Sequence, residues 1–250
     1  MISIAIANQK GGCGKTTLTF HLGNLFAMDN KKTILIDIDP QGNLTSCFIK
    51  DLQEENNIRL IFEGKKPIPK EVGSNLFLIG SDITLSKYEA DAKLENFFRL
   101  NHFLKNQDFD ITLIDTPPSL GLFTSNALLC ANYVLIPLDL SKFSLLGLAD
   151  LLTSTEKVKE ATGRDLKILG IVFPMVQERL LFYKDVREEL NKKYMEFAFN
   201  TIIPESVKVR ECIASGKPIF SVLPEHKVSL AYRSLYEEIR GRLDYEGKLS

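Results

Sequence analysis

The chain predicts an α/β fold, a doubly wound, mostly parallel sheet with helices on both faces. Three observations carry that expectation. Short apolar, β-branched runs recur along the chain and are closed by turn residues. Stretches with helical spacing of apolar residues separate them. The first run ends in a glycine-rich loop that opens straight into a helical stretch, giving strand, loop, helix and strand in succession.

The elements follow in order. ISIAIA (2–7) reads as a buried parallel strand and TTLTFHLGNLFAM (16–28) as the helix after it. DNKK is polar punctuation, and TILIDID (33–39) is a second buried strand. Residues 51–73 are charged and irregular and give no clear element. NLFLIGS (75–81) reads as a strand and LSKYEADAKLENFFRLNHFLK (85–105) as one long amphipathic helix. FDITLID (109–115) is another apolar strand, followed by the turn TPPSLG. ANYVLIPLD (131–139) and LKILGIVFP (166–174) are two more, with a helix between about 142 and 160. Residues 183–195 read as helix, FNTII (199–203) as a short strand, and AYRSLYEEIRGRL (231–243) as a closing amphipathic helix. No repeat or low-complexity tract interrupts the pattern, so residues 1–250 read as a single domain.

The composition, 44% hydrophobic and 25% charged, can fill a core. A formal net charge of −1 gives no general attraction to nucleic acid, so any DNA affinity must come from a local patch. Cys13, Cys47, Cys130 and Cys212 form no C-x-x-C pair, which points to a reduced, cytoplasmic chain without structural zinc. The first strand leaves no room for a signal peptide, and no apolar run reaches the roughly 18 residues of a membrane span. His21, His102 and His226 have no ligand spacing and read as structural or surface residues.

NQKGGCGKTT (8–17) is nearly G-x-x-x-x-G-K-[ST], with Gln9 where the first glycine belongs and Lys10 after it. Gly11, Gly12 and Gly14 let the backbone turn tightly and aim its N–H groups at phosphate oxygens. The helix from Thr16 adds its positive end, with Thr17 behind it. Lys15 is placed to reach the β- and γ-phosphates, and the Thr16 hydroxyl to bind Mg²⁺. Cys13 sits where the loop needs a small residue; a reactive thiol at a helix N-terminus is the other reading. Asp115 closes an apolar strand, where a carboxylate that holds Mg²⁺ belongs. Asp37 and Asp39 alternate on the second strand and so face the same side. Asp37 suits a place near Mg²⁺, and Asp39, at the mouth of the PQGN turn, suits a water-orienting role. Taken alone, D-P-Q-G-N also reads as an ordinary turn, and Lys10 as a solvated loop lysine.

KGGCGKTT (10–17), DIDPQGN (37–43) and DTPPSLG (115–121) together resemble the ParA/MinD family of P-loop ATPases with a deviant Walker motif, most closely its short Soj-type ParA members. TIIPESVKVRECIASGKPIF (201–220) and AYRSLYEEI (231–239) resemble the family's later segments, so the likeness runs over nearly the whole chain. The resemblance implies an Mg²⁺-dependent ATPase and an ATP-sandwich homodimer in which Lys10 crosses to the partner's phosphates. It gives Asp39 the attacking water, places Asp115 in switch II, and puts the adenine near Pro204. It also implies non-specific binding to double-stranded DNA on the nucleoid and stimulation by a ParB-like partner.

DNA contacts in the family use basic residues of the C-terminal part, here Lys184, Arg187, Lys208, Arg210, Lys217, Lys227 and Arg233. Carboxylates are interspersed among them, and Glu205 stands where the family often has an arginine soon after I-P. The MinD branch needs a C-terminal membrane helix. Only DYEGKLS follows the closing helix here, so no stable membrane anchor is expected. The nitrogenase-reductase branch needs cluster-bridging cysteines, whereas Cys130 lies in the apolar stretch NALLCANYVLI. A ParA-like ATPase that positions a protein cargo, or a MinD-like division-site regulator, is the alternative function.

Overall fold

Strands that read as unbroken apolar runs need cover on both faces, and the chain supplies it. β1 (Ile2–Ile6), β2 (Thr33–Asp37), β5 (Ile111–Asp115) and β6 (Tyr133–Pro137) are buried at every residue. The computed structural model describes residues 1–91, 93–139, 144–176 and 194–245. With β3 (Lys70–Gly73), β4 (Leu76–Ile79), β7 (Lys167–Val176) and β8 (Ala198–Pro204), these strands form one sheet in the order β3-β4-β2-β5-β1-β6-β7-β8. Every pairing is parallel except that of β3 with β4, so the expected doubly wound sheet is what the chain forms.

The helices are α1 (Lys15–Met28), α2 (Asn43–Ser46), α3 (Arg59–Phe62), α4 (Arg99–Leu104), α5 (Leu122–Cys130), α6 (Ser144–Thr162), α7 (Val207–Ala214), α8 (Ile219–Val222) and α9 (Lys227–Tyr245). One core packs Phe20 and Leu22 of α1 with Tyr232, Leu235 and Ile239 of α9 on one face of the sheet. The other packs Leu100, Phe123, Leu148 and Leu151, from α4, α5 and α6, on the opposite face. At the β8 edge, Glu238 of α9 accepts the N–H groups of Asn200 and Thr201, each at 2.8 Å. That contact covers an otherwise open strand edge.

The expected helix over 85–105 is broken. Ile83–Tyr88 and Leu94–Phe98 are 3-10 turns, and only Arg99–Leu104 is α-helical. The cause is Asn126 of α5. Its Nδ2 donates to the Asn96 carbonyl at 2.8 Å, and its Oδ1 accepts from the Leu100 N–H at 3.1 Å. Those are the two groups a continuous helix would join to each other. The charged stretch from 51 supplies α3 and the antiparallel β3, which its polar sequence hid. The expected helix at 183–195 lies almost wholly outside the described residues.

His21 ties the loop helix to the C-terminal segment. It is fully buried, stacked on Tyr232 with ring centroids 4.2 Å apart. Its Nδ1–H donates to the Thr17 carbonyl at 2.8 Å, and Nε2 accepts from the Ile219 N–H at 3.3 Å. The Nε2 contact requires the neutral ring, and burial lowers its pKa to about 4 despite the Thr17 hydrogen bond, which acts the other way. The unfolded chain takes up this proton near pH 6.5, before the folded chain does. His21 therefore contributes stability that is complete above pH 6.5 and is lost as pH falls to 4. At about 1.4 kcal/mol per unit, the loss amounts to about 3 kcal/mol. Asp37 acts with the opposite sign, because burial raises its pKa to about 6. The His21 contribution is therefore read by difference. Denaturation midpoints between pH 7 and 4 should fall more steeply for the wild type than for His21→Gln, which can keep both hydrogen bonds.

Candidate nucleotide site

The sheet order places β1 beside β5, with β2 beyond it and β6 on the other side of β1. This is a switch point, where ligands bind outside the carboxyl ends of the strands. Ile6 and Asp37 both pair with Asp115 in register, so the phosphate loop and both acidic strand ends meet at one edge. A cavity of about 540 Å³ opens there, lined by Gly11, Gly12, Gly14, Lys15, Thr16 and Thr17 from the loop and α1, and by Asp39, Pro118, Met175, Arg210 and Ile213.

Gly14 caps α1 with φ +90°, a conformation that side chains with a Cβ adopt at a cost. An added Cβ there would also stand 3.1 Å from the Pro174 ring. Lys15 is nearly buried, and its ammonium donates to the carbonyls of Asn8 and Lys10, both at 3.0 Å. It is thus drawn into the loop beneath the N-terminus of α1, where an anion binds. Cys13 is 1% exposed and off the cavity wall, and burial raises its thiol pKa, which favours the small-residue reading over a reactive one.

Lys10 behaves differently. Its side chain, 40% exposed, is not on the cavity wall and pairs with Asp139 just beyond β6. Asn8, which sequence reasoning passed over, organises this turn. Its Oδ1 accepts from the Lys10 N–H at 3.0 Å, and its Nδ2 donates to the Pro137 carbonyl at 2.6 Å. The only sequence signal was a polar residue closing an apolar strand.

Thr16 Oγ1 donates to Asp115 Oδ2 at 2.7 Å. The other oxygen, Oδ1, is buried with no hydrogen-bond partner. Burial and the neighbouring Asp37 hold the Asp115 pKa well above the usual carboxylate range. One hydroxyl and one carboxylate with an unsatisfied buried oxygen fit Mg²⁺, which takes few protein ligands and completes its shell with water and phosphate oxygens. Among the described residues no group of three His, Cys, Asp or Glu side chains forms a cage that would hold an ion alone. The two crowded carboxylates destabilise the sheet edge at neutral pH. Asp115→Asn should therefore raise the thermal midpoint of the nucleotide-free protein while cutting Mg²⁺-supported hydrolysis by about 100-fold or more. Calorimetry and phosphate release measure the two effects.

Asp37 and Asp39 differ in what they reach. β2 stops at Asp37. The Asp37 carboxylate accepts from the N–H and hydroxyl of Thr45, at 2.8 and 2.7 Å, and from the Asp39 N–H at 3.1 Å. It therefore shapes the turn from behind, and Asp39 alone reaches the cavity wall, with one oxygen fixed by the Gln41 N–H at 2.9 Å. Gly42 completes the turn with φ +63°, and a Cβ there would stand 2.6 Å from the Ser81 carbonyl oxygen.

The C-terminal segment lines the cavity through α7. Arg210 and Ile213 stand on the wall, and Pro204 ends β8 opposite Val176, the neighbour of the wall residue Met175. Arg210, expected among the DNA contacts, is exposed and also stands on the cavity wall. Lys208, Lys217, Lys227 and Arg233 are exposed between residues 208 and 233. Lys208 pairs with Glu211 at 2.8 Å, and Arg233 lies over the Phe220 ring. Lys184 and Arg187 lie outside the described residues. A larger groove of about 810 Å³ between α6 and β7 has no glycine loop or paired carboxylates. No helix among the described residues is long and apolar enough to cross a membrane.

Residues 1–168 match the family model described as an AAA domain. The chain is 36% identical over 250 residues to the chromosome-partitioning ATPase Soj of Treponema pallidum, covering 96% of this chain and 97% of that one. A putative plasmid partition protein from Borrelia burgdorferi, solved bound to AMPPNP, superposes with a TM-score of 0.79 at 27% identity, covering 98% of this chain and 99% of that one. Cobyrinic acid a,c-diamide synthase from Mycobacterium smegmatis, solved with ADP and magnesium, superposes at 0.83 with 26% identity, covering 98% of this chain and 96% of that one. With its glycine loop, its two acidic strand ends and a likeness that spans nearly its whole length, the chain belongs to the ParA/MinD family of P-loop ATPases, and its relatives include the chromosome-partitioning ATPases Soj and ParA.

Proposed function

We propose that the chain is an Mg²⁺-dependent DNA-partitioning ATPase working as one domain, 1–250. It dimerises around ATP, binds double-stranded DNA without sequence preference as that dimer, and is released when a ParB-like partner stimulates hydrolysis. The observation that carries this reading is the divergence of the two lysines on one loop. Lys15 turns inward onto the Asn8 and Lys10 carbonyls, whereas the Lys10 ammonium stands at the partly exposed rim beside Asp139. A lysine at the rim serves a phosphate bound by another subunit, and ATP then becomes part of the interface.

In the catalytic cycle, the amides of Gly11, Gly12 and Gly14 and the Lys15 ammonium hold the β- and γ-phosphates. Thr16 and Asp115 would hold Mg²⁺, which would supply positive charge against the developing phosphate charge. Asp39 orients the water that attacks the γ-phosphorus. Lys10 of the partner subunit adds a cation as the transferred group departs. Relatives named for chromosome and plasmid partitioning favour DNA as the cargo. The exposed Lys208, Lys217, Lys227 and Arg233 supply cations on one C-terminal segment, and pairing two subunits doubles them. Such a cycle places the protein in the cytoplasm, on the nucleoid.

Light scattering tests the dimer. The 28.2 kDa chain should double in mass with AMP-PNP and Mg²⁺ and stay monomeric with ADP or no nucleotide. A monomer under all three conditions would refute the cycle.

A further inference from the structure

Three consecutive side chains turn from the phosphate loop toward the end of β6, the residue Asp139 beyond it, and α6. Asn8 donates to the Pro137 carbonyl, Gln9 Nε2 donates to Asp150 Oδ2 at 3.4 Å, and Lys10 pairs with Asp139. Asp139 stands two residues beyond β6, next to Leu138, whose N–H still donates to the Val172 carbonyl of β7 at 2.8 Å. Both side chains of the ion pair keep access to solvent, at 40% for Lys10 and 29% for Asp139. The pair is therefore exchangeable.

We propose that Asp139 is a positioning residue for Lys10: it holds the ammonium within its own subunit and sets the threshold at which the lysine is surrendered to the partner's nucleotide. The inference rests on the ATP-dimer reading given above. One ammonium must leave the carboxylate to settle on a phosphate. A triphosphate carries more charge than a diphosphate and draws the lysine away more strongly. Asp139 thus raises the threshold for both nucleotides by the same cost, and at a given protein concentration the more weakly drawn ADP state falls below it.

The test measures dimer dissociation constants by sedimentation with AMP-PNP and Mg²⁺, and with ADP and Mg²⁺. The proteins are the wild type, Asp139→Asn, Asp139→Ser, Asp139→Glu and Lys10→Ala, with Asp139→Asn also combined with Lys10→Ala. Removing the charge should tighten the AMP-PNP dimer about fivefold, the scale of a partly exposed ion pair. It should also strengthen association with ADP. Asp139→Ser should reproduce Asp139→Asn, and Asp139→Glu should stay near the wild type. In the Lys10→Ala background the substitution should change little. An unchanged or weaker dimer in both neutral variants overturns the role of Asp139, as does an equal effect without Lys10. If Lys10→Ala itself dimerises like the wild type, the dimer reading has failed, and the inference falls with it.

Discussion

Asp39→Ala should bind ATP and dimerise yet hydrolyse it about 100-fold or more slowly than the wild type. Asp39 is 7% exposed, lies on the cavity wall and follows a strand whose last residue is locked in the sheet. Its backbone N–H donates to Asp37, its Oδ1 accepts from the Gln41 N–H, and its carbonyl accepts from the Gly42 N–H at 2.9 Å. The turn therefore fixes the carboxylate without using both of its oxygens. Deleting the side chain leaves the glycine loop, Lys15 and Thr16 intact, so nucleotide binding should survive and only the positioning of water should be lost. Asp39→Asn preserves the shape and can keep the Gln41 contact, but it lacks the charge and should fail similarly. Phosphate release beside fluorescent-nucleotide binding separates the two effects. Ordinary turnover in Asp39→Ala would remove the water role.

Lys10→Ala should retain monomeric nucleotide binding and raise the dimer dissociation constant by about 100-fold or more. Truncating one member of a desolvated charge pair at an interface costs about 2–5 kcal/mol. The Lys10 ammonium takes no part in the chain's own cavity wall, so its removal leaves the glycines and Lys15 in place. Lys15→Ala makes the contrast. The Lys15 ammonium is the cation on that wall drawn beneath the loop, and its loss should remove productive nucleotide binding itself. Two lysines on one loop should therefore give two separable defects. Isothermal titration and sedimentation of both variants check this. Normal dimers in Lys10→Ala would return that lysine to the solvated loop residue its sequence also allows.

The sheet was legible because a strand covered on both faces has to be apolar throughout. ISIAIA, TILID and FDITLID could hardly be anything else. The phosphate loop was legible because glycine, lysine and threonine at fixed spacing have few other uses. What stayed hidden depends on partners far along the chain. Asn126 splits the expected helix by taking hydrogen bonds 26 and 30 residues away. Asn8 and Lys10 each find their partners 129 residues on. Alternation on a strand grouped Asp37 with Asp39, but it could not show that Thr45 claims the first and leaves only the second on the cavity wall. Basic residues near the C-terminus looked interchangeable in one dimension. Both Lys208 and Arg210 of α7 are exposed, but only Arg210 also stands on the nucleotide cavity wall.

The central claim is that ATP switches DNA binding on through the dimer. The most direct measurement is binding to a non-specific DNA duplex with ATP, with ADP and without nucleotide, across a salt series. The account predicts binding with ATP alone, weakening steeply as salt rises because each neutralised phosphate releases counterions. Equal binding in all three nucleotide states, or none with ATP at low salt, would contradict it.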